Sequence, residues 1–134
     1  MVHGLETALA GRFRFVFRNF PLMDIHPHAL QAAEGAEAAD AQGSFWDMLE
    51  RLFKNQKALE KEDLLRYAAG LKLDADRFLV DLTTHAHADR IQRDLDSGER
   101  SDVQGTPTLF VNERKHDGRY DPDSLLAALR AAGA

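Results

Sequence analysis

The stretch Ser101–Glu113, "SDVQGTPTLFVNE", decides how the rest of the chain is read. Leu109, Phe110 and Val111 have the composition of a short buried strand, yet Pro107 stands two residues before them. Proline cannot donate to a sheet ladder and is confined to strand starts, edges and bulges. Gly105 and the threonines on either side of Pro107 therefore make either a turn that opens the strand or a loop that meets a ligand. Downstream, "NERKHDGRY" reads as a tight turn at Asn112–Glu113 and a short return strand. An Asn-Glu turn is weaker than Asn-Gly but compatible with a hairpin. Asp121 as N-cap and Pro122 at the first helical position then open a terminal helix with Leu125, Leu126 and Leu129 on its buried face.

Upstream, the pattern changes period. In "RFRFVFRNF", Phe13, Phe15 and Phe17 fall on one face and Arg14, Val16 and Arg18 on the other, the alternation of a strand with one buried face. Pro21 stops it. "HPHALQAAEGAEAADAQ" is an Ala-rich helix with Pro27 in its first turn and Gly43 as its stop. Ser44 caps the next helix, in which Trp46, Leu49, Leu52 and Phe53 form an apolar stripe. A further helix opens near Asp63. Asp74 caps the segment that supplies Phe78, Leu82, Ile91 and Leu95 to the core, and the two threonines before His85 predict a break there. Residues 3–10 have helical composition but are too short for a helix stable alone. The order, strand, several helices, strand, strand, helix, is that of an α/β layer fold with a helical insertion.

Composition limits the chemistry. The 134 residues suit one domain with a real core, and 44% apolar with 29% charged residues is ordinary for a globular protein. A net charge of −5 offers no footprint for nucleic acid or an anionic membrane, and no apolar run is long enough to span a bilayer. The N-terminus shows no export signal, which makes the cytoplasm the default compartment; an exported mature form would read the same. There is no cysteine, so no disulfide, thiolate nucleophile or redox pair can come from this chain.

Among the titratable residues, the pairs His26/His28 and His85/His87 invite a metal reading. Residues two apart on a helix point away from each other, and no cysteine or spaced acid completes a zinc set. Glu34, Glu37 and Asp40 lie three apart on one helix and read as a solvated face. Arg14 and Arg18 suit either an anion or pairing with acidic helices, and Trp46 beside Phe45 reads as core. No phosphate loop or nucleophile elbow is present.

Four segments, "RFRFVFRNFPL", "HPHALQAAEGAEAADAQGSFWDMLERLF", "DLLRYAAGLKLD" and "SDVQGTPTLFVN", resemble successive landmarks of the DsbA-like thioredoxin family, in that family's order. The resemblance runs from about Arg12 to the end of the chain. It implies one thioredoxin-like α/β domain over residues 1–134, with a helical insertion at about 27–100 between its strands. In such proteins a cis-proline loop faces a Cys-x-x-Cys at a helix start. Thr106–Pro107 matches that loop, so Pro107 is expected to be cis and Gly105, Thr106, Pro107 and Thr108 to contact substrate. An extended peptide can add as a strand at such an edge.

The chain departs from that pattern at its start. His3–Ala10 matches only the later part of the family's active-site helix; the strand before it and the Cys-x-x-Cys have no counterpart, so the fold is expected to be incomplete. The family's activity is thiol–disulfide exchange on protein substrates, and this chain is expected to be redox-inactive, with no catalytic residue, metal or cofactor. The alternative is a non-redox peptide-binding or assembly module using the same loop. A third reading is a different enzyme class built on His26, His28 and Glu37. Expected partners are a protein or peptide at the loop and a second copy of the chain, a dimer that covers the sheet edge; nucleic acid and membrane are not expected.

Overall fold

The computed structural model describes residues 8–9, 12–21, 28–104, 109–116 and 121–133. The chain forms two compact units, one of residues 18–102 and one of residues 1–17 with 103–134. Five helices make up most of the first unit: α1 (Ala29–Asp40), α2 (Phe45–Lys54), α3 (Lys61–Gly70), α4 (Ala75–Thr83) and α5 (Ala88–Arg100). The second holds β1 (Phe110–Val111), β2 (Arg114–Lys115) and α6 (Pro122–Ala131).

Helix α1 is the centre of the helical unit. Its six consecutive residues Glu34–Ala39 are all buried, so no face of that stretch meets water, the mark of a core helix. Ala36, Ala38 and Ala39 let α2, α3, α4 and α5 approach its backbone closely. Around it Met48, Leu52, Leu64, Tyr67, Phe78 and Leu82 close one apolar core. Phe78, Met48 and Leu64 are excluded from solvent, and each such side chain contributes about 1.5–3 kcal/mol. Tyr67 buries its ring but its hydroxyl donates to the Ala58 carbonyl at 2.7 Å, which fixes the α2–α3 connection.

Local chemistry sets the helix ends. Gly43 takes φ +79° after α1, and Ser44 N–H donates to the Ala39 carbonyl at 2.9 Å, a left-handed stop that glycine adopts without strain. Ser44 occupies the cap position of α2 but makes no side-chain capping bond. Helix α3 starts from Glu60, which forms a reciprocal capping box with Asp63. Asp74 accepts from Arg77 N–H at 3.1 Å to cap α4, and Asp121 accepts from Ser124 N–H at 2.8 Å to cap α6 behind Pro122. The expected break falls where the threonines stand: α4 ends at Thr83, and four turn residues separate it from α5.

Four expectations change. Glu34 and Glu37 are buried rather than solvated, because α1 is covered on every side; only Asp40 of that trio is exposed. Trp46 is 53% and Phe53 61% exposed. Seven residues apart on α2, they share a face other than the one that buries Met48 and Leu52. Residues 14–21 carry neither helix nor strand assignment, although the expected alternation is there: Phe13, Phe15 and Phe17 are half-buried between exposed Arg12, Arg14, Val16 and Arg18. Finally, Phe110 is 40% exposed rather than buried, since among the described residues β1 pairs only with β2 and alternate residues of so small a ladder face outward.

The hairpin itself is as expected. Phe110 pairs with Lys115 and Val111 with Arg114, which leaves Asn112 and Glu113 as a two-residue turn. Asn112 takes φ +56°, the left-handed conformation a primed hairpin turn requires and asparagine tolerates. His116 N–H donates to the Leu109 carbonyl at 2.7 Å and continues the pairing by one step.

Candidate functional site

The residues expected to bind substrate, Gly105, Thr106, Pro107 and Thr108, lie outside the described residues, as do His26 and Pro27. On either side of the loop, Gln104 is exposed and Leu109 half-buried at the entrance to β1.

The helical unit brings together polar residues that lie far apart in sequence. Glu37 Oε1 accepts from Asn19 Nδ2 at 2.8 Å, and its Oε2 lies 3.0 Å from Arg90 Nε. Asp94 Oδ2 accepts from both the backbone N–H and the side-chain amide of Asn19, each at 3.0 Å. One turn on, Arg18 donates to Ser97 Oγ at 2.8 Å. Residues 18 and 19 are thereby clasped between α1 and α5. Arg18 is tied to α5 through a serine hydroxyl, and both oxygens of Glu37 have partners.

Glu34 has a different partner. Its side chain is 6% exposed, and its Oε1 lies 2.8 Å from Nδ1 of His85, whose own side chain is 68% exposed. The contact joins a buried carboxylate to an exposed imidazole across two helices. The backbone aims the ring. At the end of α4, His85 adopts φ +53°, with Ala86 N–H donating to the Asp81 carbonyl at 3.0 Å. Glycine is the usual residue in that left-handed position, though histidine is among the side chains found there more often than most.

The pair forms one wall of a cavity of about 430 Å³ between α1, the start of α3 and the end of α4. Leu30 and Leu82 give it an apolar surface, and Gln31, Lys61 and Thr83 add polar groups. Lys61 Nζ reaches the Thr83 hydroxyl at 3.5 Å, a long contact. Of the neighbouring acids, Glu60 lies 3.2 Å from His28 Nε2 and Asp81 3.3 Å from His87 Nε2, while Glu62, next to Lys61, is exposed. His85 and His87 thus serve two different carboxylates from one turn. Among the described residues no group of three His, Cys, Asp or Glu side chains could hold a metal ion.

Sequence reading missed Glu34, Lys61 and His85 as a group, because Glu34 and His85 are 51 residues apart. The signals that existed were weak: an acid within an alanine run, and a histidine after two threonines at a helix break.

The incomplete α/β architecture belongs to a known class, and the chain is a member of the thioredoxin family, whose model matches residues 5–131. It is 50% identical over 121 residues to the Na(+)/H(+) antiporter NhaA 3 of Salinispora tropica, which covers 90% of this chain and 19% of that protein. It is 44% identical over 128 residues to the Na(+)/H(+) antiporter NhaA of Herminiimonas arsenicoxydans, 96% of this chain and 20% of that protein. The Na(+)/H(+) antiporter NhaA 1 of Mycolicibacterium gilvum is 41% identical over 119 residues, 87% of this chain and 19% of its own length. The chain therefore spans about a fifth of the length of these relatives. No solved structure matches it. Among the described residues, no helix is long and apolar enough to cross a membrane.

Proposed function

We propose that this chain is a non-redox thioredoxin-fold module that serves a Na+/H+ antiporter, and that Gly105–Thr108 is the loop through which it holds a peptide segment of that partner. The observation that carries the reading is 50% identity over 90% of the chain to a stretch one fifth the length of an antiporter, in a sequence with no cysteine. Thiol–disulfide exchange proceeds by attack of a thiolate on a disulfide sulfur. This chain has no sulfur nucleophile to offer, so the DsbA-like activity its motifs resemble is not its own. What a thioredoxin-like loop retains without cysteines is strand addition: backbone groups at the mouth of β1 pair with an extended peptide.

Two measurements test this. Insulin-disulfide reduction by the purified chain should stay at background, and activity above it overturns the non-redox assignment. The chain should also bind the purified Salinispora tropica antiporter from which the matching fifth has been deleted, and Pro107→Ala should weaken that binding at least several-fold. Absence of binding at tens of micromolar, or binding unchanged by Pro107→Ala, overturns the partner or the loop respectively.

A further inference from the structure

We draw no further inference here: the strongest candidate, the outer face of α2 that carries Trp46 and Phe53, is an exposed apolar surface patch, and nothing in the structure shows what covers it.

Discussion

The unit of residues 18–102 and the unit formed by residues 1–17 with 103–134 hold themselves together by different means. The first wraps four helices around a fifth and seals Phe78, Met48 and Leu64 from water. Among the described residues of the second, only Leu9 and Leu125 are buried, and its strands are two residues long. The difference shows where ionised side chains can be held. Two carboxylates sit inside the first unit because an extended segment and an interhelix turn bring partners from 18 and 51 residues away. Residues 103–134 fall instead in the second unit, whose described part has little interior. The first unit is thus a packed helical body in which a cavity can form, and the described part of the second is a short hairpin and one helix.

The sharpest way to break this contrast is Phe78→Ala. Emptying the centre of the helical core should cost about 3–5 kcal/mol, read by urea denaturation, and amides of α1 and α3 should lose most of their protection from hydrogen exchange. A loss below about 1 kcal/mol would mean that the core is not centred there. Leu125→Ala removes the buried anchor of α6 and should cost about 2–4 kcal/mol, with the fastest new exchange in α6 itself. Glu37→Ala unties Asn19 and Arg90 from α1 and should cost about 1.5–3 kcal/mol, the range for hydrogen bonds to a charged group.

Smaller effects refine the picture. Gly35 sits in the interior of α1, where an added Cβ would meet Leu64 Cδ1 at 3.4 Å and Phe78 Cζ at 3.8 Å, ordinary contact distances. Gly35→Ala should therefore stabilise the protein, by up to about 1 kcal/mol from helix propensity; a lower melting temperature would show that α1 and its neighbours are packed more tightly than these distances imply. The weakest effect is electrostatic. The Lys54 ammonium, hydrogen-bonded to Glu50 at 2.7 Å, holds the Glu50 carboxyl below its ordinary value of 4.5. A depressed acid contributes stability above its ordinary value and loses it as pH falls through the lowered one. Lys54→Met should lower the melting temperature slightly at pH 7, and the two proteins should converge in acid.

Much of the helical body was legible because its signals are local. Asp74 and Asp121 announce their helices, the threonines before His85 mark the break, and Asn112–Glu113 turns the hairpin. The buried acids were not legible. Within "ALQAAEGAEAAD" nothing distinguishes Glu34 and Glu37 from solvated residues, since their burial depends on what α2 to α5 place around them. Helix α2 carries apolar residues on two faces, and its own sequence cannot rank Trp46 and Phe53 against Met48 and Leu52. The cavity was invisible for the same reason: its walls come from three separate elements.

Trp46 is the only tryptophan in the chain, and it stands half in water with its ring set edge-on to Phe45 at 4.9 Å. Its fluorescence in the native protein will resemble that of a partly hydrated indole, so unfolding will alter the emission spectrum little. The same position makes it a reporter for something else. Any partner that settles on the outer face of α2 will shift the emission to the blue and shield it from soluble quenchers. The protein thus carries an optical label for contact at that surface.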